Sequence, residues 1–215
     1  MLPDTTAASS QPGLATSSIR LAVLASGRGS NLEALFLAQD AGRLTAARIV
    51  LVISNRAQAP ALALAKARSV ATRYVQPSQF ASLEAYDAKL LEACQEAGID
   101  AIALAGYTRR LSSVFIAAYP GRILNMHPSL LPRHGGPGML GPKVHQSVLA
   151  AGDVESGCTV HLVTEGLDEG PILSQRRVAV LPGDTPETLA ARVLMEEHQL
   201  YADTLEQWVR TQFFR

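Results

Sequence analysis

Asn125 and His127 stand two residues apart in the run Arg122-Ile-Leu-Asn-Met-His-Pro128. If the run is a strand, residues i and i+2 face the same way, so an amide and an imidazole converge on one point. Pro128 bars a helix and keeps His127 extended at the strand's exit. A later loop, Leu167-Asp168-Glu169-Gly170-Pro171, offers a carboxylate. A donor amide, an imidazole and a carboxylate are what acyl transfer without a covalent nucleophile requires. They stabilise an oxyanion, move a proton and favour the imidazolium.

A second group, Ser26-Gly-Arg-Gly-Ser-Asn31, lies between an apolar run and a helical pattern. Its glycines allow close approach to the backbone, and a helix N-terminus presents N–H groups to a phosphate. A dinucleotide fingerprint would want glycine at position 32 and an acid ending the second strand; the chain has Leu32 and Asn55. A small phosphomonoester therefore fits better than NAD. The alternative is a tight turn with a capping box of Ser30 and Glu33, and both can hold together. His134, His145, His161 and His198 are not spaced as metal ligands and read as structural or surface residues. Cys94 and Cys158 make neither a metal spacing nor a disulfide framework and read as packing thiols. Arg109 and Arg110 read as a solvated pair, with the alternative that strand-end arginines meet an anionic ligand.

Positioning these groups calls for an α/β domain. Apolar runs predict strands at Arg20–Ala25, Arg48–Ser54, Thr72–Val75, Ala101–Ala105, Arg122–Met126, Thr159–Val163 and about Ile172–Val180. Helical patterns fall at about Asn31–Ala41, Ala61–Ser69, Leu83–Ala97, Ser112–Ala118, Lys143–Ala151 and Pro186–Val209. Runs of Val, Ile, Leu and Ala without alternation imply a sheet covered on both faces. The expected fold is a three-layer, Rossmann-like, mostly parallel twisted sheet of about seven strands, with ligands beyond the strands' carboxyl ends. Residues 1–18, rich in Ala, Ser, Thr and Pro, read as a disordered leader without the apolar core of a secretory signal; residues 19–215 form one domain. Leu131–Pro142, with its glycines and prolines, is long enough to be a mobile lid. Lys plus Arg and Asp plus Glu are 19 each, so no bulk positive field favours a polynucleotide. No apolar run reaches the roughly 18 residues of a membrane span, and a cytoplasmic protein is expected.

Ser26–Asn31, Leu104-Ala-Gly-Tyr107, Asn125-Met-His-Pro-Ser-Leu-Leu-Pro132, Gly157-Cys-Thr-Val-His161, Leu167–Pro171 and Glu197-His198 occur in an order and spacing that resembles the phosphoribosylglycinamide formyltransferase family. The resemblance covers about Ile19 to Val209. It implies transfer of a formyl group from 10-formyltetrahydrofolate, a co-substrate, to the amine of 5-phosphoribosylglycinamide, with no metal and with small-molecule substrates rather than nucleic acid or membrane as partners. It further implies that Gly29, Ser30 and Asn31 bind the phosphate and that Glu197 contacts the ribose. Thr108, Arg109, Arg110 and Leu111, with Thr164, Glu165, Gly166, Leu167 and Asp168, would line the folate together with Asn125. Asn125, His127 and Asp168 would be catalytic. Three features depart from the family pattern. Leu83 stands where some members carry a basic residue near the folate tail, Leu194 stands where some carry a polar group near the ribonucleotide, and the loop Arg133–Lys143 is longer than in the shortest members.

Three other readings compete. A methionyl-tRNA formyltransferase would be expected to add a basic C-terminal RNA-binding domain, and a 10-formyltetrahydrofolate hydrolase an N-terminal regulatory domain. A non-catalytic phosphate-binding module would require the Asn125, His127 and Asp168 pattern to be accidental.

Overall fold

The structure, a computed structural model, describes residues 18–214; apart from Ser18, the leader expected at residues 1–18 lies outside them. Seven strands form one sheet: β1 (Ile19–Leu24), β2 (Ala47–Ser54), β3 (Ala71–Tyr74), β4 (Ala101–Leu104), β5 (Ile123–His127), β6 (Glu155–Leu162) and β7 (Ile172–Ala179). Their order is β3-β2-β1-β4-β5-β6-β7. The first five are parallel, and β6 and β7 complete the sheet by antiparallel pairing. Among the described residues the six α-helices are α1 (Ser30–Asp40), α2 (Pro60–Ala67), α3 (Leu83–Glu96), α4 (Ser113–Ala118), α5 (Pro142–Ala150) and α6 (Pro186–Phe213). A short 3₁₀ turn at Pro77–Gln79 was not anticipated.

Alternation along the strands divides the core into two. Leu21 and Val23 of β1, Ala101 and Ala103 of β4 and Leu124 and Met126 of β5 pack with α1, α2 and α6. Ala22 and Leu24, Ile102 and Leu104, and Ile123 pack with α3 and α4. This is the three-layer arrangement expected from apolar strands without polar alternation. Cys94 and Cys158 are buried free thiols, one in each core, and burial pushes both up to about 12, as expected of packing residues. Among the described residues no helix is long and apolar enough to cross a membrane.

Most boundaries fall within a residue or two of the sequence expectation. The exceptions are β6, which begins four residues earlier than Thr159, and α6, which runs four residues past Val209. Glu155-Ser-Gly157 has the composition of a turn, and its pairing with Arg177–Ala179 of β7 makes it a strand. The helix start at Asn31 also needs correction. Gly29 caps α1 with φ +84, no side chain caps it, and the Glu33 N–H donates to the Gly29 carbonyl at 2.8 Å. The Ser30–Glu33 capping box therefore does not form. A Cβ on Gly29 would lie 2.9 Å from Ala61, so both its conformation and the approach of α2 require glycine.

Candidate active site

A cavity of about 970 Å³ opens beyond the carboxyl ends of β1, β4 and β5, where the sheet order reverses. Asn125 sits within β5, as expected, and His127 is its last residue. They occupy the face whose earlier position, Ile123, packs on the layer of α3 and α4. Both line the cavity, Asn125 half-buried and His127 buried.

Antiparallel pairing places His161 of β6 directly opposite Asn125 of β5. Asn125 Nδ2 and His161 Nε2 are 3.1 Å apart, and His161 Nδ1 lies 3.0 Å from the Leu162 carbonyl. A carbonyl only accepts, so Nδ1 carries the proton. Burial is the main cause holding the His161 pKa below its ordinary value, opposed by the bond to the Leu162 carbonyl and then by Asp168, so the neutral ring is favoured. Its Nε2 lone pair then accepts from the Asn125 amide and fixes that amide's orientation.

His127 is fixed in the complementary way. Its Nε2 lies 2.9 Å from the His134 carbonyl, so Nε2 bears a proton and donates it. In the neutral ring the lone pair is on Nδ1, which faces Asp168 Oδ2 at 3.6 Å. Asp168 Oδ1 is 3.7 Å from His161 Nε2. Both separations exceed a hydrogen bond, so the carboxylate acts on the two imidazoles as a close charge. Its own position is set by the Gly136 N–H, which donates to Oδ2 at 2.9 Å. Asp168 has φ +58, a left-handed conformation that Asp tolerates better than most residues. Gly170 closes the same turn, where a Cβ would stand 1.8 Å from the Leu162 carbonyl oxygen.

At another part of the cavity, Asn31 on α1 donates from Nδ2 to Glu197 Oε2 on α6 at 2.7 Å, both side chains being buried. Burial raises the Glu197 pKa, partly opposed by this bond. Asn31 Oδ1 is buried without a partner, a polar atom that a ligand donor can meet. Ser30 also lines the cavity, whereas Gly29 faces Ala61; Gly27 and Arg28 line the cavity in its place.

Thr108, Arg109, Arg110 and Leu111 form one wall and Thr164, Glu165, Gly166, Leu167 and Asp168 another. Arg110 joins them by donating to the Glu165 carbonyl at 2.8 Å. Arg109 stacks over Tyr86, its carbon 5.1 Å from the ring centre, and Tyr86 and Tyr107 share a hydroxyl hydrogen bond of 2.7 Å. Neither arginine is therefore an unengaged solvated residue. Of the family departures, Leu194 lines the cavity, and Leu83 packs against the core on α3.

The structure thus gathers every residue the sequence nominated except Gly29. It adds His161 and the buried His145, whose pKa burial and the nearby His127 hold down. Among the described residues no group of three or more His, Cys, Asp or Glu side chains is arranged to hold a metal.

A doubly wound sheet thus carries an amide, an imidazole and a carboxylate at its switch point. The formyl transferase family profile matches residues 19–205, and the chain belongs to the formyl transferase family. Within it the similarity runs to phosphoribosylglycinamide formyltransferases. The Escherichia coli (strain K12) phosphoribosylglycinamide formyltransferase is 40% identical over 183 residues, covering 85% of this chain and 84% of that protein. The crystal structure of phosphoribosylglycinamide formyltransferase from Brucella melitensis is 50% identical with a TM-score of 0.82, covering 90% of this chain and 96% of that one. A trifunctional purine biosynthetic protein adenosine-3 from Drosophila pseudoobscura pseudoobscura is 43% identical over 187 residues; the match covers 86% of this chain but only 13% of that much longer protein.

Proposed function

We propose that the protein transfers the formyl group of 10-formyltetrahydrofolate to the amine of 5-phosphoribosylglycinamide, giving formylglycinamide ribonucleotide and tetrahydrofolate, a step of purine biosynthesis. One observation carries this reading: Asn125, His127 and Asp168 meet in the wall of a cavity that also holds the buried Asn31–Glu197 pair. The names of the relatives support the same substrates.

In this reading the substrate amine is the nucleophile, so no serine or cysteine is needed at the centre. Its nitrogen bonds to the formyl carbon and the carbonyl electrons move to oxygen. The Asn125 amide, oriented by His161, stabilises that oxyanion. His127 Nδ1, the atom bearing the lone pair, takes the proton from the attacking nitrogen, and Asp168 stabilises the resulting imidazolium. The proton passes to the folate nitrogen as its bond to the formyl carbon breaks and the oxyanion collapses to the new amide. Ser30 and Asn31, at the N-terminus of α1, hold the ribonucleotide phosphate beside Arg28, and Glu197 contacts the ribose. Gly29 supports that loop from behind, through its contact with α2. Thr108–Leu111 and Thr164–Asp168 grip the folate between their two walls, which Arg110 bridges.

The test is a spectrophotometric assay with a 10-formyl folate, with and without 5-phosphoribosylglycinamide, in wild type and His127→Ala. The expected result is acceptor-dependent release of the deformylated folate that falls by about 10²-fold or more in the variant. Equal release without acceptor would make the protein a hydrolase, and no turnover at all would return it to the phosphate-binding module.

A further inference from the structure

Two of the three non-glycine residues with positive φ among those described flank His127. One is Asp168, which faces Nδ1. The other is His134, φ +54, whose carbonyl accepts from Nε2. A left-handed backbone at a residue with a β-carbon costs free energy, so something must hold it there. At His134 the holder is its own side chain. The imidazole is 12% exposed and bonded at both ends: Nδ1 lies 2.8 Å from Ser147 Oγ on α5, and Nε2 lies 2.8 Å from Asp153 Oδ2. Arg133 also bonds the Asp153 carboxylate. Ser129 Oγ secures the same turn, donating to the Arg133 carbonyl at 2.7 Å.

We propose that His134 is a positioning residue for the transfer reaction: clamped between Ser147 and Asp153, it aims its carbonyl at His127 Nε2 and so fixes the tautomer and ring orientation of the proton carrier. This rests on the reading of His127 as that carrier. The Asp153 carboxylate accepts, so His134 Nε2 carries a proton, and Nδ1 receives the Ser147 hydroxyl proton. With both nitrogens engaged, the ring has no free lone pair or proton to give to a substrate. A hydrolytic use of Ser147, His134 and Asp153 is disfavoured by placement, because Ser147 lies inside α5 and not at a turn that presents its oxygen beside an oxyanion hole.

The consequence is chemical. If the His134 carbonyl turns away, His127 can exchange its Nε2–H form for the Nδ1–H form, which puts a proton where the lone pair is needed. The first half of the long loop, through Gly135, is thus an anchor, and its second half, Gly136 to Pro142, contributes to the cavity wall.

The experiment pairs two variants with two readouts. Asparagine tolerates the left-handed backbone but is too short to bridge Ser147 and Asp153. His134→Asn is therefore expected to lower kcat by on the order of a hundredfold, as expected for a slightly misplaced catalytic group. Both KM values should stay within about threefold, since ground-state binding is untouched. Nitrogen NMR of the His127 ring should show mainly Nε2–H in wild type and a mixed population in the variant. Asp153→Asn, which keeps an acceptor for His134, should move both readouts in the same direction by less. Near-normal kcat with an unchanged His127 tautomer in His134→Asn would overturn the proposal, as would higher KM values with kcat intact. The tautomer is read without turnover, so a protein that proves not to transfer formyl groups is distinguished from one in which His134 does not position His127.

Discussion

The two sides of the sheet's switch point build their parts of the cavity differently. On the β1 and β4 side, parallel strands end in loops, and the cavity is lined by loop residues Gly27, Arg28 and Gly106–Leu111 and by Ser30 and Asn31 at the end of α1. On the β5 and β6 side, side chains project from within the strands, and antiparallel register sets Asn125 against His161. Backbone groups at strand ends suit the grip of a phosphate or a flat ring, where several N–H groups share the work. Proton transfer needs one atom at one place, and mid-strand side chains locked by a partner on the next strand supply it. The difference suggests that damage on the β5 and β6 side lowers kcat, and damage on the β1 and β4 side raises KM.

The sharpest attempt to break that division is Asp168→Asn. The amide oxygen can still accept from the Gly136 N–H, so the turn keeps its geometry and only the charge facing His127 and His161 is removed. A fall in kcat of about 10²- to 10⁴-fold is expected, the usual range for a disabled acid–base group, with KM values little changed. Steady-state kinetics with both substrates varied will decide. A variant within a few-fold of wild type removes the carboxylate from the mechanism, and a loss confined to KM would dissolve the contrast between the two sides.

A smaller effect is expected from Asp87→Ala on the opposite side. Asp87 is fully buried on α3, and its Oδ2 accepts from the Ser112 N–H at 2.5 Å, just after Thr108–Leu111. Removing this acceptor strands a buried N–H, at a cost of about 1–3 kcal/mol in denaturant unfolding. The loosened wall should raise the folate KM several-fold and leave the ribonucleotide KM alone. A drop in kcat with unchanged folate KM would show that this wall also takes part in the chemistry.

Much of this contrast was visible in the chain before folding. Asn125 and His127 announced themselves because two polar residues at i and i+2 interrupt an apolar run, a pattern that a fully covered strand does not need. The Ser26–Asn31 segment was legible as a glycine-rich turn between an apolar run and a helical pattern, although a plain tight turn has the same composition. His161 was not legible as a site residue by its own spacing. It is separated from Asn125 by 36 positions, and only the β5–β6 register places them together. Register depends on pairing across the sheet, which periodicity within one strand does not encode. The same holds for Glu155-Ser-Gly157, a strand only because β7 pairs with it, and for His134, whose role lies in a backbone carbonyl that its residue type does not reveal. The capping box at Ser30 and Glu33 failed for a related reason: the sequence pattern was present, but the close approach of α2 to Gly29 sets the helix start one residue earlier.

The smallest predicted effect concerns Glu197, where stability and binding should oppose one another. Burial raises its pKa above the ordinary 4.5, the Asn31 bond offsetting part of the shift. The folded protein therefore holds the proton more tightly than the unfolded chain. That contribution to stability is complete below about pH 4.5 and is lost as the pH rises through the raised folded-state value. Glu197→Gln never ionises, and its amide oxygen can still accept from Asn31 Nδ2. The variant should be more stable than wild type at pH 8, by a few degrees in Tm if the gain is about 1 kcal/mol, and the advantage should shrink toward pH 5. Thermal melts at the two pH values measure this directly, and a wild type as stable as the variant at pH 8 would show that the carboxylate is well accommodated by the fold alone. If the variant gains stability while its ribonucleotide KM rises, the ionisable group is kept for the ligand at the fold's expense. That outcome would set Glu197 with the loops of the β1 and β4 side as a binding residue, although its side chain is as deeply buried as those on the catalytic side.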